Sequence, residues 1–378
     1  MKKVVGFIKK ELMLVVSLAA AVISLFITPP SAALLRGIDW RTLGILLMML
    51  LVLAGFKKES VLSPVAALGS RLNRMRTLTF FLVFGVFFTS MFVTNDVSLI
   101  IFVPITIMIF RRAGKEKYIL PTLTLQNIAA IRGSLLTPFG SPQNLFLYGR
   151  ANVSAGHFML HMLPLCAMSA VLLSVFILFM FRKDPGERIE CAETQRPSRE
   201  NLPRRVAYIV AFCAVVFTVV SRTPYWYVIL ISVIVAAALT DVTLFKRVDY
   251  VLLATFLCFF IFSQSITGNE RIASFLSRVV SGHEYWWSLG LSQIISNVPS
   301  TIVLYPFTTN FSALIYGADT AGLCSIIGSL ASVINYRIYV REYPGNGRKF
   351  LLVFTLISWA FFLIVVIPGL LLSRWPFF

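Results

Sequence analysis

The chain has 378 residues, 58% apolar and 13% charged, and 34 Lys and Arg against 16 Asp and Glu give a net charge of +18. A mean hydropathy of +0.83 excludes a soluble globular domain. Long apolar stretches recur from end to end without strand-like alternation, which excludes an outer-membrane barrel and predicts an all-α polytopic membrane protein.

The first apolar run, 12–27, follows a basic start and leads into Thr28-Pro29-Pro30 rather than a small-residue cleavage site. It reads as a retained membrane helix over 11–28, not a signal peptide. A second helix, 40–56, returns to the basic stretch 57–76. The block 77–110 has two apolar halves, 77–93 and 97–110, each short of the about 20 residues that span a bilayer. Arg74 and Arg76 precede it and Arg111 and Arg112 follow it. A re-entrant hairpin keeps both basic clusters on one side and puts Thr94-Asn95-Asp96 at its tip. Segment 118–149 then crosses, 157–181 returns, and the charged, Pro-containing 182–205 is a cytoplasmic linker. Segments 206–221, 225–240 and 250–267 cross in turn, 284–316 is a second hairpin, 318–340 returns and 351–372 ends the threading.

With the N-terminus inside, 25 of the 34 Lys and Arg lie in inside loops and seven lie outside. This positive-inside asymmetry accounts for the basic charge without nucleic acid. Of the five cysteines none forms a C-x-x-C pair, so no disulfide framework or structural zinc site is expected. His157 and His161, at a helix start, are assigned to the membrane interface.

Shifting SMFVTNDVSLIIFVPIT (90–106) by 202 lands on SQIISNVPSTIVLYPFT (292–308), with six of 17 positions identical. Downstream, SPQNLFLY (141–148) meets SVINYRIY (332–339), with Ser, Asn and Tyr coinciding at offset 191. The order helix, helix, hairpin, broken helix, helix therefore occurs twice. The first repeat is 1–181 (hairpin 77–110, broken helix 118–149). After the linker, 206–378 holds a joining helix and the second repeat (hairpin 284–316, broken helix 318–340). The threading starts the repeats on opposite sides, as in inverted-topology transporters.

Four polar interruptions result. The first tip is Thr94-Asn95-Asp96, and the first break, 137–144, contains Thr137, Pro138, Gly140, Ser141, Gln143 and Asn144. The second tip is Ser296-Asn297-Val298-Pro299-Ser300; the second break, 328–335, includes Ser332 and Asn335. Proline removes an amide donor and glycine accepts unusual dihedrals, so helices unwind there. Unwound backbone in hydrocarbon is tolerated only where protein, water or ligand satisfies it. Freed carbonyls suit Na⁺ and freed amides suit an anion. A Na⁺ would draw on Thr94, Asn95, Asn144, Asn297 and Asn335. Asp96 is a cation ligand, a proton acceptor or a partner of Arg132. Arg132 recognises an oxyanion, pairs with Asp96, or stands where a cation would bind. No nucleophile–base pair or metal cluster is present, so an enzyme is not expected.

At TNDV (94–97), TPFGSPQN (137–144) and SNVPS (296–300) the chain resembles the ion transporter superfamily, in particular its arsenite permease and citrate transporter-like anion permeases, which are related to the divalent anion:sodium symporters. The resemblance implies a scaffold part and a moving transport part, elevator-type alternating access, a homodimer, a small anion substrate and coupling to Na⁺ or H⁺, with no other cofactor. A Na⁺/H⁺ antiporter of the same fold is the alternative. The first tip reads TND where the symporters carry S-N-T, and Ile131-Arg132 stands where relatives have small residues. The expected location is the cytoplasmic membrane.

Overall fold

The computed structural model describes residues 11–61, 72–183, 186–188 and 202–375. The expected linker 182–205 lies largely outside them. The first half holds α1 (Leu12–Ile27), α2 (Ala32–Gly37), α3 (Trp40–Lys58), α4 (Met75–Val93), α5 (Asn95–Arg112), α6 (Ile119–Ser134), α7 (Pro142–Arg150) and α8 (Ala155–Met180). The second holds α9 (Leu202–Ser221), α10 (Trp226–Asp241), α11 (Tyr250–Thr267), α12 (Glu270–Val280), α13 (Glu284–Ile295), α14 (Asn297–Leu304), α15 (Phe311–Ala321), α16 (Leu330–Glu342) and α17 (Gly347–Leu372). Seven helices among the described residues are long and apolar enough to cross a membrane.

Helix starts carry side-chain caps, because the first amides of a helix have no intrahelical acceptor. Asp39 accepts from Thr42 N at 3.0 Å, Asp249 from Leu252 N at 3.0 Å and Asn310 from Ala313 N at 3.0 Å. Pro104, Pro164 and Pro368 lie inside α5, α8 and α17, where neighbouring helices satisfy what the ring frees.

Both hairpins form. Thr89 Oγ1 donates to Ser98 Oγ at 3.0 Å, and a Cβ on Gly85 would strike the Phe102 ring. A straight helix rising 1.5 Å per residue cannot bring these pairs together, so α4 and α5 fold back on each other. Their arms are longer than expected, 19 and 18 residues. In the second hairpin Ser300 Oγ donates to Ser288 O at 3.3 Å across α13 and α14.

The second repeat departs from the sequence reading in its bounds. The hairpin expected over 284–316 closes with a 3₁₀ turn at Tyr305–Phe307, and α15 already belongs to the broken helix. That helix, expected over 318–340, comprises α15 and α16, and its break is 322–329 rather than 328–335. The boundary shows in the polar Thr308-Thr309-Asn310 and in the cap that Asn310 gives α15. The short α2 and the amphipathic α12 were not anticipated.

The broken helices occupy the centre. Every residue of α6 except Pro121 is buried, as is every residue of α15 except Phe311. By contrast α9 and α10 bury few side chains. Helix ends are tied by a bond from Lys58 to Asp241, by Arg205 Nε donating to Glu59 O at 2.9 Å, by Lys115 paired with Glu187 at 2.8 Å and by Arg111 near Glu342 at 3.4 Å. Arg150 is paired with Asp39 at 3.1 Å.

Candidate transport site

The hairpin tips share one unusual backbone. Thr94 has φ 70° and ψ 156°, and Ser296 has φ 70° and ψ 161°. This region is close to glycine-only, and strain of about 1–3 kcal/mol persists there only where surrounding structure imposes it. The side chains repeat the match. Asn95 Oδ1 accepts from Asp96 N at 2.9 Å, and Asn297 Oδ1 from Val298 N at 3.0 Å. The offset of 202 is therefore structural as well as textual.

Each tip binds the break of its own repeat. Thr137 Oγ1 donates to Met91 O, and Asn297 N donates to Gly328 O at 3.2 Å. In the first break, Ser141 caps α7 and Pro142 sits at its first position, where a missing amide costs nothing. Pro142 thus starts a helix; the unwound residues run from Leu135 to Ser141, with Pro138 and Gly140 among them. Asn144 Nδ2 reaches back to the carbonyls of Ser134 (3.2 Å), Leu135 (3.1 Å) and Thr137 (3.3 Å). In the second break the carbonyl of Ala321 accepts from Gln293 Nε2 at 3.1 Å.

The breaks align on Gly-Ser. A Cβ on Gly140 would overlap Ser134 O, and one on Gly328 would overlap Ala321 O. Ser141 and Ser329 both stand at N-caps with extended backbone. The offset here is 188, not the 191 drawn from Ser, Asn and Tyr. Ser332 and Asn335 accordingly lie inside α16 rather than in the break.

At this offset Arg132 falls one residue from Asp319, and each lies two residues before its half-helix ends. Both are buried, at 0% and 1% exposure, and they meet at the centre. A guanidinium nitrogen of Arg132 donates to Asp319 O at 3.4 Å, and Gln143 Nε2 donates to Asp319 Oδ1 at 2.9 Å. Arg132 Nε and its other terminal nitrogen, and Asp319 Oδ2, have no hydrogen-bond partner among the described residues. Alongside, Asn127 Nδ2 donates to Ser332 Oγ at 3.0 Å and Asn335 Nδ2 to Leu123 O at 2.7 Å, so α16 runs antiparallel to α6. The carbonyl oxygens of Asn127, Asn144 and Asn335 are buried without partners among the described residues.

The structure does not join Asp96 to Arg132. Successive helical residues point about 100° apart. Gly133 faces the hairpin at Phe87 and Ser90, which turns Arg132 toward α15. Asp96 stays half-buried at the tip, with Oδ1 unpartnered among the described residues. His161 Nε2 lies 2.9 Å from Ser312 Oγ at the start of α15, and its carbonyl accepts from Tyr316. Among the described residues no cluster of three His, Cys, Asp or Glu could hold a metal ion. Sequence reasoning missed Asp319, Gln293 and Asn127. Asp319 is a carboxylate inside an apolar run, and that signal was available.

Asn144 carries a direct test. Asn144→Ala strips the donor from three buried carbonyls, each worth about 1–3 kcal/mol when left unmade. Thermal unfolding in detergent should show a loss of roughly 2–4 kcal/mol, shared as these bonds share one amide.

Helices interrupted at paired hairpin tips define a membrane transporter fold rather than an enzyme or a simple anchor. The citrate transporter family model matches residues 4–328, and the chain belongs to that family. It is 30% identical over 353 residues to the inner membrane protein YbiR of Escherichia coli strain K12, covering 88% of this chain and 89% of that one. An uncharacterized transporter of Methanocaldococcus jannaschii is 27% identical over 324 residues, covering 84% of this chain and 85% of that one. The crystal structure of the YdaH transporter of Alcanivorax borkumensis, described as having an unusual topology, superposes with a TM-score of 0.56 at 13% identity, over 92% of this chain and 88% of that one. The protein is a multi-pass membrane transporter.

Proposed function

We propose that the protein is a secondary active transporter that carries a small inorganic or carboxylate anion across the cytoplasmic membrane, driven by Na⁺ or H⁺. The observation that carries this reading is Arg132: a fully buried guanidinium between the two breaks, with two nitrogens unpartnered among the described residues. A buried, incompletely bonded charge is costly, and an oxyanion supplies what its planar fork lacks. Thr94, Asn95, Asp96, Thr137, Ser141, Gln143 and Asn144, with Ser296, Asn297, Ser300, Ser332 and Asn335, complete the candidate lining.

Equal strain at Thr94 and Ser296, and the antiparallel crossing of α6 and α16, support a duplicated unit in inverted orientation. On this reading the hairpins and broken helices form a transport part that slides, elevator-fashion, against a scaffold including α3, α9 and α10. Many exposed apolar residues on α9 and α10 leave surface for lipid or for a second subunit. The N-terminus is placed inside by the positive-inside rule.

The test is flux into proteoliposomes under separately imposed Na⁺ and pH gradients. The family's name makes citrate the first anion to try; succinate, sulfate and arsenite follow. Gradient-dependent uptake of one of these is expected, and folded protein that moves none of them sinks the proposal. A Na⁺/H⁺ antiporter is the second reading, favoured by unpartnered carboxylate oxygens on Asp96 and Asp319. It predicts Na⁺-driven proton movement with no anion present.

A further inference from the structure

Four arginines, Arg36, Arg41, Arg150 and Arg222, line two neighbouring spaces. Arg36, Arg41 and Arg150 line an open cleft of about 590 Å³ at the ends of α2, α3 and α7. Arg41 also lines a smaller recess that continues it, together with Arg222 at the end of α9. The two spaces adjoin across Asp39, Arg41 and Gly149, and together they make a basic concavity. We propose that this concavity is a binding site for a phosphate-type oxyanion, separate from the central transport site.

The charge is unbalanced by construction. Four guanidinium groups meet one carboxylate in the lining, and that carboxylate is already committed. Asp39 Oδ1 accepts from Thr42 N at 3.0 Å, while Oδ2 accepts from Thr42 Oγ1 at 2.9 Å and from Arg150 Nε at 3.1 Å. Arg41 lies within the electrostatic reach of Arg222 as well as Asp39. Like charges held together in a cleft favour an anion between them. The Nε atoms of Arg41 and Arg222 are buried and have no hydrogen-bond partner among the described residues.

Arg222 is held for this position at a conformational cost. Its φ is +51°, a left-handed backbone where glycine is the default. Its guanidinium lies 4.3 Å from the centre of the Tyr148 ring and donates to Tyr148 O at 2.9 Å. Those contacts fix the plane of the fork and leave Nε for a ligand. Two planar forks lining one recess suit a multiply charged tetrahedral oxyanion better than a single lysine would. Trp40 and Trp226 stand at the rim, as indoles do at the headgroup level of a bilayer. The oxyanion can therefore come from a lipid headgroup or from free phosphate.

The test uses the purified full-length protein in a neutral detergent. Native mass spectrometry counts bound phosphatidylglycerol against phosphatidylcholine, and calorimetry titrates inorganic phosphate. Two variants are compared with the natural chain: the double change Arg41→Gln/Arg222→Gln, and Gly149→Glu. The second adds rather than removes. A Cβ at Gly149 meets only Thr42 Oγ1, at 3.8 Å, so the new carboxylate enters the cleft without a clash. Both variants should bind about tenfold or more weakly, at unchanged melting temperature for Gly149→Glu. Phosphatidylglycerol retained against excess phosphate identifies the lipid source, and saturable phosphate binding identifies the free ion. Binding of neither probe by the natural chain, or equal binding by all three proteins, overturns the site. None of these outcomes depends on transport at Arg132.

Discussion

Arg132→Ala should be among the most damaging single substitutions in this protein, and Asp319→Asn in the same chain should rescue much of the loss. Arg132 and Asp319 are neighbouring buried charges, and removing one leaves the other less compensated, at up to about 3–5 kcal/mol. Here the Asp319 carboxylate would keep its bond from Gln143, while its backbone carbonyl would lose the guanidinium that donates to it. Neutral asparagine at 319 can still accept from Gln143, so the double variant buries no lone charge. Melting curves of the two single variants and the double one form a cycle, and a coupling of about 1 kcal/mol or more is expected for groups in contact. Strictly additive losses would show that the two residues do not sense each other. Arg132→Lys separates fold from function. It keeps the charge and loses the planar fork, so stability should fall less than in Arg132→Ala while anion affinity still drops.

Gly133→Ala should be nearly as severe, for a steric reason. A Cβ at Gly133 would overlap the carbonyl oxygen of Phe87 and reach Ser90, and the Phe87 carbonyl carbon would lie only 2.8 Å away. Backbone cannot rotate aside as a side chain can, so α4 must move off α6. Overpacking of this kind costs about 1–3 kcal/mol, and more where neighbours are rigid. Because α4 carries the first tip, the displacement should also separate Met91 from Thr137 and reduce transport beyond the stability loss. Gly149→Ala is the control, since its Cβ meets only ordinary contact. Equal melting temperatures for the two alanine variants would contradict the close approach of α4 and α6.

The first hairpin was legible because three local signals coincide: two apolar halves, basic residues at both ends, and polar residues between. The second was legible as an echo at offset 202, and the backbone at Thr94 and Ser296 bears out that register. The second break was misplaced because identity of Ser, Asn and Tyr at offset 191 is a weaker signal than cap geometry at Gly328-Ser329. Letters on a helix surface drift between repeats more freely than a glycine pressed against a carbonyl. Asp96 drew attention as the acid in the hairpin, yet the residue Arg132 bonds is Asp319, through its backbone carbonyl.

From the sequence alone follow the membrane class, the helices among the described residues to within two short elements, and the two hairpins. These rest on hydropathy, charge position and local backbone chemistry, which act over a few turns of chain. Only the tertiary structure decided which polar groups meet. Arg132 and Asp319 are 187 residues apart, and Gln143 and Asp319 are 176 apart. Their encounter depends on the angle at which α6 presents its last turn and on glycines that let backbones touch. Such contacts leave no periodicity in a single sequence, because each partner is satisfied only after both repeats have packed.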